Sequence, residues 1–232
     1  YVSGSVTQFT NVEIKGGTIH NNVYGGGNLA TVGPPRILQS VDCPADKTGV
    51  TVNIKGNAEI GKNTNQNTEY GGNVYGASRG IASEELGTDN KPKYKDFAYC
   101  SYTEVNVSES PVIYGAVFGG GENGKVGLYH EDRTSHVENG QNIHTSTVNI
   151  TGGTIKHSVY GGGQGVFGDV IPGSSPVAYY ENDTMSGRVM GNATVNLMGG
   201  TIGVDDGNYA ATVYGGCRRS FVWGNTLVNV TS

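Results

Sequence analysis

Apolar and polar residues alternate in short bursts along this chain, and one burst keeps returning. The phrase Thr-Val-Asn-Ile/Leu occurs at Thr51–Ile54, Thr147–Ile150 and Thr194–Leu197, with variants at Asn11–Ile14, Glu104–Val107 and Leu227–Val230. Strict alternation of this kind predicts a half-buried β-strand, with Val and Ile on one face and Asn on the other. Each strand phrase is followed by a corner and a second apolar pair: Gly16-Gly17-Thr18-Ile19, Glu59-Ile60, Val112-Ile113, Gly152-Gly153-Thr154-Ile155 and Gly199-Gly200-Thr201-Ile202. A third pair then precedes a glycine run, at Val23-Tyr24, Val74-Tyr75, Val117-Phe118, Val159-Tyr160 and Val213-Tyr214. A further apolar patch follows each aromatic residue: Val32, Ile81, Val126, Val166-Phe167 and Val222.

Repetition decides the fold class. Stacked in parallel, the repeats place Val12, Val52, Val105, Val148, Val195 and Val228 in one inward column, and Ile14, Ile54, Val107, Ile150, Leu197 and Val230 in the next. Asn53, Asn106, Asn149, Asn196 and Asn229 form an outward column whose amides can bond along the stack. One repeat buries too little apolar surface to offset its own ordering entropy, so the repeats must stack. The expectation is an all-β chain: a right-handed parallel β-helix (solenoid) of about five to six coils, three sheets per coil, with lateral loop insertions. Residues 1–232 read as a single solenoid segment, a fragment of a longer repeat protein with neighbouring coils or a capping domain. Helix is excluded by the period of two and by glycines in every long stretch. A β-sandwich is the rival, but it has no need to repeat one phrase in one register.

Glycine is plentiful, at 39 residues, and its placement explains why. The Gly-Gly corners need positive φ, and the triplets after Tyr24, Phe118 and Tyr160 allow tight bends and close backbone approach. Apolar content is only 35%, as suits a thin elongated core. The net charge of −5 argues against a nucleic-acid partner. No apolar run reaches the ~20 residues of a membrane helix. Three cysteines, Cys43, Cys100 and Cys217, cannot close a disulfide framework, although Cys43 and Cys100 could form one bridge.

The repeats differ chiefly in four excursions, near residues 34–49, 83–101, 128–145 and 169–192, which at equivalent positions would form one ridge beside the stack. They carry the candidate binding residues: Tyr94 and Lys95; His130, Glu131 and Asp132; Tyr179, Tyr180 and Asp183. Loops on a rigid scaffold are where binding usually resides. No catalytic residue and no metal ligand is assigned. The histidine-rich loop lacks any zinc or metalloprotease spacing, and no glycine run continues into a nucleotide-binding Lys-Ser/Thr. Asp205-Asp206-Gly207-Asn208 could lend oxygens to calcium, without an EF-hand pattern; turn chemistry explains it as well, and no cofactor is otherwise implied. The aromatic column of Tyr24, Tyr75, Phe118, Tyr160 and Tyr214 is a core ladder if it faces in, and a strip for sugar rings or a partner if it faces out.

The Gly-Gly-Thr-Ile and Val-Tyr-Gly-Gly-Gly phrases resemble the glycine-rich repeats of large surface proteins of gut Bacteroidales. More loosely, they resemble the repeats of chlamydial polymorphic outer membrane proteins. The resemblance covers the repeat cores, about half the chain, and not the excursions. It implies a secreted or surface-anchored, adhesin-like module, extracellular, without known catalytic residues, whose loops meet a host or bacterial surface glycan or protein. Asp183-Thr184-Met185 is similar to an O-glycosylation acceptor of that bacterial group. The alternative is a polysaccharide lyase or glycoside hydrolase on the same scaffold. That chemistry needs two or three carboxylates on adjacent coils, whereas the outward position holds Asn in five copies and Glu13 in one.

Overall fold

A computed structural model describes residues 5–6, 8–33, 49–62, 71–81, 98–127, 137–138, 141–142, 144–166, 172–175, 186–203 and 211–231. These residues contain strands, bends and turns and no helix, and hence no helix long and apolar enough to cross a membrane. The first coil holds β1 (Phe9–Ile14), β2 (Thr18–Ile19) and β3 (Val23–Tyr24). The second holds β4 (Gly49–Ile54), β5 (Glu59–Ile60), β6 (Val74–Tyr75) and β7 (Tyr99–Cys100). The third holds β8 (Thr103–Val107), β9 (Val112–Ile113), β10 (Val117–Phe118) and β11 (Lys125–Val126). A short hairpin, β12 (Val137–Glu138) and β13 (Gln141–Asn142), lies in the excursion that follows. The fourth coil holds β14 (Ser146–Ile150), β15 (Thr154–Ile155) and β16 (Val159–Tyr160); the fifth holds β17 (Ala193–Leu197), β18 (Thr201–Ile202) and β19 (Val213–Tyr214). β20 (Thr226–Val230) begins a sixth.

Equivalent strands pair across coils, giving one six-stranded sheet, β1-β4-β8-β14-β17-β20, and two five-stranded sheets. Every pairing between coils is parallel, and the one antiparallel pair among the described residues is the β12–β13 hairpin. That excludes the sandwich and establishes the parallel β-helix. Register is the one the alternation predicts: Val148 sits between Val105 and Val195, and Asn149 between Asn106 and Asn196. The inward columns are fully buried at mid-stack, where Val52, Ile54, Val105, Val148, Ile150 and Val195 are all 0% exposed. Each such side chain contributes roughly 1.5–3 kcal/mol on burial. Val228 and Val230, on the outer strand β20, are 39% and 73% exposed.

The outward asparagines form a continuous amide ladder. Asn229 Nδ2 donates to Asn196 (2.7 Å), Asn196 to Asn149 (2.8 Å), Asn149 to Asn106 (2.8 Å) and Asn106 to Asn53 (3.0 Å). In β1 the ladder position is Glu13, which instead binds Lys15 and Lys55, and Asn53 donates diagonally to Asn11 at 3.1 Å. Hydroxyls close the coil from the opposite side, where Thr10 donates to the Gly25 carbonyl (2.8 Å) and Ser146 to that of Gly161 (2.6 Å).

The two sets of glycines do different work. In the Gly-Gly corners the second glycine is left-handed, with φ of +82° at Gly17 and +80° at Gly153 and Gly200. The first glycine of each later run has no such φ and is required by close approach. A Cβ on Gly25, Gly76, Gly119 or Gly161 would lie 2.0–2.4 Å from the carbonyl oxygen of the equivalent glycine one coil on.

A fourth, narrow face completes the coil, so three sheets per coil understates the architecture. Single-residue bridges and the β7–β11 pair join Val6, Val32, Cys100, Val126, Val189 and Val222 in one inward column, the return ladder. Val32, Val126 and Val222 are the patch residues expected here, but Ile81 and Val166-Phe167 are not. Ile81 is 40% exposed, and Cys100 takes its place. Val166 is half-buried, Phe167 lies outside the described residues, and Val189 fills the column. Both misassignments share one cause: in coils two and four the excursion precedes the return residue instead of following it.

Candidate binding face

The return ladder determines where the excursions emerge. After coils one and three the chain leaves the stack beyond Gly33 and Gly127, between the return ladder and the next long strand. In coils two and four it leaves beyond Ile81 and Val166, before the return residues Cys100 and Val189. The described residues thus leave and rejoin the stack at alternate corners, one on each side of the return face, and not along the single line expected from sequence. Spacing supplies the reason. Adjacent rungs lie only about 4.8 Å apart, too close for two excursions to exit side by side, and alternation doubles that interval at each corner. The expected boundaries shrink as well, because residues 98–101, 144–145 and 186–192 belong to the stack.

None of the predicted site residues is among those described: Tyr94, Lys95, His130, Glu131, Asp132, Tyr179, Tyr180 and Asp183 all lie outside, as does the calcium candidate Asp205-Asp206-Gly207-Asn208. What the structure does place is the return face between those two corners. Because neighbours of an inward residue point outward, this face carries Tyr99, Lys125, Arg188 and Phe221 on one side of the ladder, with Ser101, Gly127, Met190 and Trp223 on the other. Tyr99, Lys125 and Met190 are buried at 4%, 5% and 2% exposure. Arg188, Phe221 and Trp223 are partly exposed, and the Arg188 guanidinium lies over both rings, 4.8 Å from the centre of Phe221 and 6.0 Å from that of Trp223. Sequence reasoning passed over this set because its signal is the residue beside each return position, and two of those positions were assigned to the wrong residues.

The aromatic column resolves into a third arrangement, neither core nor open strip. Its rings face away from the aliphatic core, since the alternating Val23, Val74, Val117 and Val159 face into it. They nevertheless stack on one another, with centroids 4.8–5.0 Å apart and planes within 12° from Tyr24 through Tyr75, Phe118 and Tyr160 to Tyr214. Phe118 is fully buried and Tyr75 nearly so, in a second cluster. Ring faces spent on each other cannot hold sugars. Polar side chains engage the hydroxyls: Tyr24 donates to Glu122 and accepts from Asn22 (3.2 Å), and Tyr75 donates to Gln164 and accepts from Asn73 (3.0 Å). Burial, and after it the Glu122 carboxylate, raises the Tyr24 hydroxyl above the ordinary tyrosine range; burial does the same for Tyr75 and Tyr160.

Five acidic side chains of the stack are each engaged at their own position. Glu13 binds two lysines, Glu59 binds Lys62 (2.7 Å), Glu104 accepts from Asn106 (2.9 Å), Glu109 accepts from the Gly56 amide (2.9 Å), and Glu122 takes Tyr24 and Arg79. Lysine contacts lower Glu13 and Glu59 below the usual carboxylate range. Among the described residues no three metal-ligating side chains converge. Cys100 is a free thiol inside the return ladder, fully buried, and so faces away from any bridge outside the stack. No family model, no curated protein and no solved structure matches this chain.

Proposed function

We propose that this chain is a module of a bacterial cell-surface, adhesin-like protein, in which a stiff β-helix presents lateral loops to a glycan or protein partner outside the cell. One observation carries the reading. The repeated chemistry of the described residues is consumed by stacking, whereas the segments where the repeats differ depart from the two corners beside a single face. The amide ladder, the aromatic stack and the aliphatic columns bind coil to coil and leave recognition to what interrupts them. The resemblance to glycine-rich surface repeats of gut Bacteroidales points the same way, and with it an extracellular setting.

The test is a glycan array probed with the full chain and with variants in which one excursion is cut to the short return of the fifth coil. Binding to a defined glycan subset, lost with one shortened excursion, is the expected result. Release of soluble oligosaccharide from the bound glycans would favour the polysaccharide-cleaving alternative. An empty array, together with no retention on host or bacterial cells, would overturn the proposal.

A further inference from the structure

The outer face of the six-stranded sheet changes character along the stack. In the first three coils it carries charge, at Glu13 and Glu104, whereas every outward side chain of β14, β17 and β20 is neutral. Thr147 sits beside Thr194, and Asn149, Asn196 and Asn229 follow one another on successive rungs. All five reach solvent, the first four half-buried and Asn229 exposed. Their hydrogen-bonding capacity is only partly used. The Thr147 and Thr194 hydroxyls have no partner among the described residues, unlike those of Thr10 and Ser146, which close their coils from the inside. Within the ladder Asn149 and Asn196 each give one N–H and accept one bond. A side-chain amide has two N–H groups and two lone pairs, so one of each stays uncommitted on these rungs.

From this array we infer that the outer face of coils four to six is a docking surface for a crystalline N-acetylated glucan of the chitin type. Size first limits the choice of occupant. Even the whole sheet face measures about 24 by 17 Å, roughly 400 Å². A standard protein interface takes about 800 Å² per partner. β14, β17 and β20 also present no aromatic or arginine anchor of the kind protein partners depend on. A second copy of the chain would therefore hold poorly here. What the face does offer is repetition, since its amides recur at the rung interval of about 4.8 Å. In crystalline chitin, neighbouring chains are joined by acetamide-to-acetamide hydrogen bonds at nearly the same interval, so one amide ladder meets another rung for rung. The valences balance. A stacked acetamide has spent its only N–H and one carbonyl lone pair, and its second lone pair accepts the N–H that each asparagine keeps. The threonine hydroxyls meet sugar hydroxyls beside them. Each bond is weak, but the rungs are rigid and evenly spaced, so they engage together and their strengths combine. Neither the excursions nor the return face takes part, and the inference stands apart from the loop-centred function proposed above.

The full chain is sedimented with crystalline chitin and, in parallel, with crystalline cellulose, whose chains carry no acetamide. Saturable retention on chitin, insensitive to salt and clearly weaker on cellulose, is the expected result. Thr194→Lys places an ammonium in the middle of the array and should weaken retention about tenfold or more, because a charge covered by the crystal without a partner is costly. Its thermal melt should be unchanged. Thr201→Lys adds the same charge at an exposed position on a different sheet and should leave retention as it was. Should Thr194→Lys melt lower, Thr194→Val becomes the variant to read. It suits a strand and loses only the hydroxyl, so retention about threefold weaker or more is expected, and unchanged retention overturns the assignment. No retention on chitin, equal retention on cellulose, or an equal loss with Thr201→Lys also overturns it. Variants with a shortened excursion should be retained like the full chain, and loss of retention in them counts against the face. If array binding depends on an excursion while chitin fails to retain the chain, this face falls and the adhesin reading stands. Chitin retention with an empty array and no retention on cells keeps the face and removes the loops.

Discussion

Asparagine in this fold is structural chemistry presented on the outside. Asn149 donates to Asn106 and accepts from Asn196, so its amide is held on both sides, whereas Asn229 donates once from an exposed strand. Asn149→Ala should therefore cost about 1–3 kcal/mol by removing two half-buried hydrogen bonds and stranding their partners. Asn229→Ala should cost well under half of that, and paired urea denaturation curves read the difference. The column was legible in sequence because each Asn sits between the same two aliphatic residues. Its end at Asn11 was not, since only the register shows Glu13 opposite Asn53 and leaves the diagonal partner to accept. The aromatic column was legible as a column but not as a facing. Val-Tyr-Gly alternates too briefly to say which side is inward, and only the contacts separate Val23 and Val74 in one cluster from Tyr75 and Phe118 in another.

Strands of two residues can pair only if the backbones beside them come close, and this makes the glycine runs indispensable at the scale of the element. A methyl group on Gly119 would fall 2.3 Å from the Gly161 carbonyl oxygen and equally close to Ser146 Oγ, both part of the packed stack. Gly119→Ala should force coils three and four apart and lower the melting temperature by ten degrees or more, the size of effect expected of a loss beyond about 3 kcal/mol. Gly216→Ala is the matched control, because a Cβ there meets nothing within 4 Å, and its melt should stay within about a degree. The three main strands of each coil were readable from alternation, but the return ladder was readable only where nothing interrupts it. Cys100 and Val189 stand on the far side of an excursion from their own coil, and Cys100 is not a residue that an aliphatic pattern selects. The candidate binding face escaped notice for the same reason, since Arg188 and Trp223 acquire meaning only once Val189 and Val222 are paired.

At the scale of the whole molecule, stability should fall in alkali, where the thiols and phenols of the stack titrate and the carboxylates are already ionised in both states. Burial pushes the Cys100 thiol up to about 11 and the Cys217 thiol up to about 12, from an ordinary value near 9, and holds Tyr24, Tyr75 and Tyr160 above the usual tyrosine range. For an acid whose folded pKa is raised, the unfolded chain releases its proton first, so stability is intact below the unfolded pKa and falls as pH rises past it. The melting temperature should hold up to about pH 8 and decline steadily from about pH 9 to 11, with tyrosines adding to the slope above about pH 10. A thermal melt series across that range checks the direction; a flat profile would mean that these groups are not buried in solution.

The central claim is that the coils stack in parallel and in register, one rung per repeat. Paired nitroxide labels test it most directly, placed at outward positions of the six-stranded sheet with Cys43 and the half-buried Cys217 replaced by Ser and the fully buried Cys100 left in place. With one label at Thr51 and the second moved in turn to Thr147, Thr194 and Leu227, the backbone separation should grow by about 4.8 Å per rung, from two rungs to four. A linear rise of about 10, 14 and 19 Å, allowing for the label arms, is the result this structure predicts. Distances that fail to grow in that order, or a Leu227 label closer to Thr51 than the Thr147 label, would contradict the parallel β-helix.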